Sequence, residues 1–490
     1  MDITFQKAKN GETTALIGNL YLHSAYNPQK EAARFIENLN IPYNPKIIII
    51  TEPGLAYIKD YLRQKYPKSK IGLIRYVKGF EQYNQGFDLI INYYDLSSNF
   101  ENYLLSVLGE ELLLEAYFLQ WEASSKILSE INLRVWQSIK SALEKAKTLL
   151  ITRQYFEKKW LINTFNFIKY LRSPLLLKKN IDLPVLIIAS GSSLKAFLPV
   201  IKENQKKFFI IVLSSAIRCC NDYGIKADLT LSTDGGYWAG QHLKTLNRSS
   251  YIIGASPEAF IPKRILINNS VMPLIYSEGL SKDLYDLCKL PYNKAVRNGT
   301  ISGTALDLAL DYFIQDIYIC GLDLANCKGY QHTQLNELEI NNSVNDNKIN
   351  SKEKRLTRSQ YSNSSLDIYR EWFSGKNISS RKVYRLIEDE DKQNSLGKIK
   401  DINQRTFKGF INKLKDLNKN NLFCKFDFSY DKEVINKFLN KNFQEEKCKK
   451  QLYPLEYVLL NHEAGNKDII TRIENNHKKL YKKLWGIIND

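Results

Sequence analysis

Short, continuous apolar runs bounded by small or polar residues recur along the chain, and between them apolar positions fall three and four apart. The first pattern predicts strands buried on both faces of a parallel sheet, and the second predicts amphipathic helices packed over it. Residues 46–51, 70–75 and 87–91 predict three such strands. Leu55, Ile58, Tyr61 and Leu62 mark a helix after the turn at Glu52, Pro53 and Gly54. That order predicts a small parallel α/β unit over residues 1–105. Further on, Leu112, Leu113, Ala116, Leu119 and Gln120, then Val135, Ile139, Leu143 and Ala146, keep helical spacing, so residues 106–175 read as a helical connector.

A second alternating series begins at Val185. Residues 185–189, 208–213, 228–232, 251–254, 271–275 and 316–320 predict strands, and 382–386 a last short one. Ala305, Leu308, Ala309 and Tyr312 place a helix over 304–313. The fold class expected is α/β. It comprises a Rossmann-like doubly wound central domain at 176–395, the smaller amino-terminal α/β domain, and a Lys-rich helical carboxy-terminal domain at 396–490. Between Asn341 and Ser365 the composition turns to Asn, Ser and Lys, which predicts a surface loop. No repeat of fixed period is present.

Composition narrows the class. With 490 residues, the chain exceeds the roughly 250–300 at which single cores stop growing, so two or three domains are expected. A 44% hydrophobic and 25% charged composition excludes a disordered chain. No apolar run approaches the roughly 18–20 residues needed to span a bilayer, and the opening residues lack signal-peptide order, so a cytoplasmic protein without a transmembrane segment is expected. Seven cysteines without a C-x-x-C pair and five histidines without HExxH or HxH spacing give no disulfide framework or metal motif. The net charge of +18 fits an acidic partner or a phosphate-bearing small substrate. It equally fits a chain rich in Lys and Asn throughout. Without a basic stripe or an RRM, KH or helix-turn-helix signature, no nucleic-acid partner is expected.

Ligands of an open parallel sheet bind outside the carboxyl ends of its strands. Four small polar segments sit at such ends: Ser190, Gly191, Ser192 and Ser193; Ser214 and Ser215; Ser232, Thr233, Asp234, Gly235 and Gly236; and Gly321, Leu322 and Asp323. Gly191 admits a phosphate without a Cβ in the way, and Ser192 or Ser193 caps a helix whose first N–H groups favour an anion; a plain N-cap with no ligand is the alternative. Asp234 and Asp323 either accept hydrogen bonds from sugar hydroxyls, hold magnesium, or cap their own turns. Arg297, Asn298, Gly299, Thr300, Ile301, Ser302, Gly303 and Thr304 form a loop fit for a phosphate or a sugar carboxylate, or a glycine-rich loop with Thr304 as N-cap. His332, nine positions after Asp323 and following the loop at 326–329, is a candidate base or a solvated loop histidine. His23 and His242 lie in polar surroundings and read as surface residues, while His462 and His477 fall in the basic tail.

With these motifs in view, the chain resembles the motility-associated factor (Maf) flagellin glycosyltransferases, whose central domain is also called MptE-like. The segments that carry the resemblance are LHSAYNPQKEAARFI (22–36), VLIIASGSSL (185–194), GIKADLTLSTD (224–234) and DIYICGLDLANCKGYQH (316–332), in family order. They are similar to the family's S-x-Y-x-P-x-x-E-A, G-x-G-P-S-L, Pro-Asp…Asp and G-x-D-L-A…H patterns. The loop here is Ser-Gly-Ser-Ser, without the family's proline, and Ala227 precedes Asp228 in place of a proline.

The resemblance implies a sialyltransferase-like enzyme that moves a nonulosonic acid from a CMP-activated donor to Ser or Thr hydroxyls of flagellin, with no cofactor required. It implies catalytic roles for His332 and Asp323. It further implies donor contacts from Ser190, Gly191, Ser192, Ser193, Ser214, Thr233, Asp234, Asn298, Thr300, Ser302, Gly303, Gly321 and Asp323. Two alternatives stand beside it: an MptE-like 6-hydroxymethylpterin diphosphokinase that uses ATP and magnesium, and a non-catalytic flagellin-binding chaperone.

Overall fold

The computed structural model describes residues 2–96, 99–246, 251–325, 330–354, 363–378, 380–388, 396–463 and 465–489. The chain forms two compact units, residues 1–157 with 444–480 and residues 158–443 with 481–490.

The first unit opens with an antiparallel three-stranded sheet, β1 (Ile3–Lys7), β2 (Thr13–Ile17) and β3 (Leu20–Tyr21). Four parallel strands follow: β4 (Ile47–Thr51), β5 (Lys70–Arg75), β6 (Leu89–Asn92) and β7 (Ala116–Gln120), in the spatial order β6-β5-β4-β7. Every residue of β4 is buried, as its unbroken apolar run requires.

Two corrections to the sequence reading fall here. Residues 3–21 add an antiparallel sheet to what reads as a purely parallel unit. Residues 116–120, which read as helix, form β7 and pair with β4 from Ile47↔Ala116 to Thr51↔Gln120. Four apolar or aromatic residues in a row, Ala116 to Leu119, suit a strand as well as a helix turn, and the edge beside β4 decides between them. Gly109, at φ +69°, already breaks the preceding helix.

At the carboxyl edge of this small sheet, Glu52 at φ +39° pairs with Arg75 at 2.8 Å, and both side chains are fully buried. Arg75 also donates to Asn84 Oδ1 and the Gly54 carbonyl, while Glu52 accepts from the Tyr76 N–H. His23, 2% exposed and therefore not a surface residue, accepts from the Leu55 N–H and fills the space that a Cβ on Gly54 would need.

The second unit is built on a nine-stranded sheet. Besides β8 (Leu175–Leu177), its strands are β9 (Val185–Ile188), β10 (Phe209–Leu213), β11 (Leu229–Ser232), β12 (Ile252–Ala255), β13 (Ser270–Ile275), β14 (Asn293–Lys294), β15 (Ile317–Cys320), β16 (Val383–Leu386) and β17 (Lys400–Ile402). Their order is β14-β13-β12-β11-β10-β9-β15-β16-β17, all parallel, while β8 pairs antiparallel with β18 (Phe423–Lys425). The chain winds outward from β9 to β14, returns through the helix Ile301–Tyr312, and winds the other way from β15 to β17. This is a doubly wound fold with its switch point beside β9. The expected α/β class and Rossmann-like centre hold.

β17 and β18 correct the reading of everything beyond Ile399 as helical. Three-residue strands carry no periodicity of their own and exist because β16 and β8 offer them an edge. The stretch 341–365, read as loop, is helical at both ends: it shares its first residues with the helix Glu337–Ser343 and its last three with the helix Asn363–Gly375. Residues 355–362 lie outside the described residues. Among those described, no helix is long and apolar enough to cross a membrane.

Removing one partner of the Glu52–Arg75 pair leaves a buried charge alone, which costs about 3–5 kcal/mol. Arg75→Met is therefore expected to unfold the first unit at markedly lower urea than the parent chain, read by tryptophan fluorescence. An unchanged midpoint would contradict this assignment.

Candidate functional site

β9 and β15 are neighbours in register, Cys320 opposite Ile188, and the pairing runs on into their loops. Ala189 N donates to the Cys320 carbonyl at 2.8 Å, and Gly191 N to the Gly321 carbonyl at 2.9 Å. This backbone contact explains both glycines. A Cβ on Gly321, at φ +72°, would lie 2.3 Å from the Ala189 carbonyl; one on Gly191 would lie 2.5 Å from the Gly321 carbonyl and 2.7 Å from the Asp323 carboxylate.

Asp323 then closes the clamp. It accepts from Ser192 Oγ at 3.2 Å, from Ser193 N at 2.9 Å and from Ser193 Oγ. Ser193 stands at the N-cap of the helix Leu194–Asn204 but makes no side-chain cap of its own. The carboxylate takes the N-cap N–H and the two serine hydroxyls that the sequence offered to a phosphate.

His332 is tied into the same loops. Its Nδ1 lies 2.8 Å from Ser190 Oγ, which donates to Ser215 Oγ at 2.8 Å. With that hydroxyl spent on Ser215, Ser190 accepts from His332, so the proton sits on Nδ1 and Nε2 keeps its lone pair. The buried Glu339 accepts from the N–H groups of Gln331 and His332, and Asn336 Nδ2 donates to the Ser215 carbonyl. Burial, and secondarily the nearby His242, lower the His332 pKa to about 4. His242 is itself buried, not a surface residue, with Nδ1 2.6 Å from Glu337 Oε2.

Between these loops lies a cavity of about 260 Å³. Ser190, Gly191, Ser302, Gly321, Asp323 and His332, all singled out from the sequence, line it, and so do Ser215, Gln331, Leu366 and Tyr369, which were not assigned there. Ser215 stood beside the chosen Ser214. Tyr369 lies on the helix Asn363–Gly375, where Tyr369, Trp372 and Phe373 give an aromatic signal just past the Asn- and Lys-rich stretch. No Lys or Arg lines the cavity among the described residues. Residues 326–329, within the segment that carries the resemblance, lie outside the described residues.

The other chosen residues lie off the cavity wall. Ser192 and Ser193 turn to Asp323, and Ser214 is buried. Asp234 is exposed and accepts from Gly236 N in its own turn. Asn298 donates to Asp307, and Gly303 N donates to Thr300 Oγ1, so Thr300, not Thr304, caps the helix Ile301–Tyr312. Thr233 borders the Tyr276 hydroxyl.

Fold and site define a doubly wound α/β protein with a ligand cavity at its topological switch point. Residues 158–329 match a family model described as 6-hydroxymethylpterin diphosphokinase MptE-like. An uncharacterized protein of Treponema pallidum (strain Nichols) is 29% identical over 234 residues, 48% of this chain and 51% of that protein, so the chain spans about half the length of the curated relative it matches. Among solved structures, the chain is similar to a Maf glycosyltransferase from Magnetospirillum magneticum AMB-1, with a TM-score of 0.54 over 99% of this chain and 89% of that one. At 12% identity that likeness is one of fold. The matched central segment and the shared fold support the resemblance to the Maf family.

The lowered His332 pKa has a sign for stability. The unfolded histidine takes a proton near pH 6.5, while the folded one stays neutral to about pH 4, so stability present above pH 6.5 is lost as pH falls toward 4. Going from pH 7 to pH 5 is expected to cost about 2 kcal/mol through this residue. Urea midpoints at the two pH values should differ less in His332→Gln than in the parent chain; an equal difference would refute the effect.

Proposed function

We propose that the chain is a glycosyltransferase that moves a nonulosonic, sialic-like acid from a CMP-activated donor to Ser or Thr hydroxyls of flagellin. It acts in the cytoplasm in support of flagellar assembly and motility. The observation that carries the reading is the neutral His332, held by Ser190 and Ser215 on the wall of the switch-point cavity, with Nε2 as proton acceptor. Among the described residues Nε2 has no hydrogen-bond partner.

In this reading Nε2 takes the proton of the attacking hydroxyl as the new carbon–oxygen bond forms and the bond to the CMP phosphate breaks. Attack from the face opposite CMP inverts the anomeric centre. The low pKa keeps the imidazole unprotonated throughout the physiological range. Ser302 and Gln331 supply polar contacts to the donor, and Tyr369 an aromatic surface. Asp323, with three donors already on its carboxylate, acts by holding the Gly191 turn in place.

The magnesium-dependent diphosphokinase reading would pair Asp234 with Asp323. Those residues follow β11 and β15, three strand spacings apart in the sheet, about 14 Å. One ion does not bridge that distance, and each carboxylate already has partners, Gly236 for Asp234 and the Ser192–Ser193 turn for Asp323. The donor set favours the transferase.

Incubation with purified flagellin and a CMP-nonulosonate is expected to add the sugar mass to intact flagellin. His332→Gln is expected to lower the transfer rate about a hundredfold or more. No added mass with a competent donor would overturn the reading, and flagellin binding without transfer would favour a chaperone.

A further inference from the structure

The cavity leaves a charge unanswered. A CMP-activated nonulosonate carries a phosphate and a carboxylate, yet among the described residues the cavity wall holds no cation, its histidine is neutral, and the N-cap beside it is taken by Asp323.

A fixed cation stands further along the same carboxyl edge. Arg297 lies in the connection from β14 to the helix Ile301–Tyr312, five residues before Ser302 of the cavity wall and so at most about 18 Å from it. Its guanidinium lies 4.5 Å from the ring centroid of Trp160 and 4.5 Å from that of Tyr276. Nη2 donates to Glu258 Oε2 at 2.7 Å. Glu258, in the loop after β12, is 5% exposed at its side chain, whereas Arg297 is 42% exposed.

Two rings and a buried carboxylate thus restrain the fork. Its Nε and Nη1 donors have no acceptor among the described residues. A surface arginine retained only to neutralise Glu258 would not need two aromatic rings packed against it. Gly235 belongs to the same arrangement, since a Cβ there would lie 2.7 Å from the Trp160 ring. An arginine whose rotamer is already fixed binds a planar or tetrahedral oxyanion with little further loss of side-chain entropy.

We propose that Arg297 is the anion-recognition residue of this site and takes the carboxylate or phosphate of the donor whose remainder occupies the switch-point cavity. The choice of donor rests on the transferase reading above; the arrangement around Arg297 does not.

The test titrates the full chain with CMP and with CMP-N-acetylneuraminate. Arg297→Lys keeps the charge and loses the planar fork, and is expected to weaken CMP-N-acetylneuraminate binding about tenfold or more. If CMP binding is unchanged, the group read is the sugar carboxylate; if CMP weakens in parallel, it is the phosphate. Unaltered affinities for both, with only a lower melting temperature, would make the cluster structural and overturn the proposal. Should Arg297→Lys not fold, Arg297→Gln combined with Glu258→Gln removes both charges together and is read in the same way. If the parent chain binds neither nucleotide, the donor reading fails, and Arg297 is judged on inorganic pyrophosphate. Thermal protection of the parent chain that Arg297→Lys loses upholds the proposal; no protection of the parent chain overturns it.

Discussion

The loops after β9 and β15 touch backbone to backbone, and the carboxyl edge of the central sheet takes its shape from that contact. Two parallel strands adjacent at a switch point normally send their loops to opposite faces, which opens a crevice between them. Here hydrogen bonds continue past the strand ends as far as Gly191 and Gly321, so the crevice floor is drawn tight before it opens. Neither position tolerates a Cβ without displacing a carbonyl. Ser190 is thereby held where its hydroxyl meets His332 and Ser215, and Asp323 where it meets Ser192 and Ser193.

This clamp also sets the electrostatics. A helix N-terminus attracts one anion, and the protein supplies it from Asp323. A phosphate within about 6 Å of that carboxylate would meet a repulsion of about 3 kcal/mol per unit charge at an effective dielectric near 20. That is enough to send the phosphate elsewhere, given that a single charge-assisted hydrogen bond contributes a comparable amount. The cavity suits hydroxyls, amides and an aromatic or aliphatic surface instead. Burial works in the same direction on His332, which gives up its charge and keeps a lone pair.

Much of this was legible in the sequence, and the part that was not has a physical cause. The buried strands of both parallel sheets announced themselves because a strand covered on both faces must be apolar without interruption. The switch-point segments were legible as small residues at strand ends, and His332 by its place after Gly321 and Asp323. What the sequence did not disclose is which group satisfies which. Gly191 looks the same whether it admits a phosphate or a neighbouring backbone, and Asp323 looks the same whether it meets a ligand or a helix turn. Arg297 was visible as a letter, but its setting depends on Trp160, Tyr276 and Glu258, which lie from 21 to 137 positions away in the chain. Pairings across such distances leave no local pattern.

The two parallel sheets show how the same architecture reaches opposite ends. In both, the chain delivers polar residues to the carboxyl edge, where a nucleotide-binding fold keeps its ligand. In the first unit Glu52, Arg75 and Asn84 consume one another and His23 packs beside them; all four are buried, with Arg75 among the largest fully buried side chains. Arg75 there donates to Glu52, Asn84 and the Gly54 carbonyl, so the guanidinium is spent inside the unit. In the second unit the N-cap of the helix Leu194–Asn204 is satisfied internally by Asp323, whereas His332 Nε2 and the outer donors of Arg297 are held in place with no partner among the described residues. A protein ordinarily pairs its polar groups when it orders them. Groups that are ordered and yet left open are what a substrate can pair with, which supports the proposed placement of the donor on the second sheet.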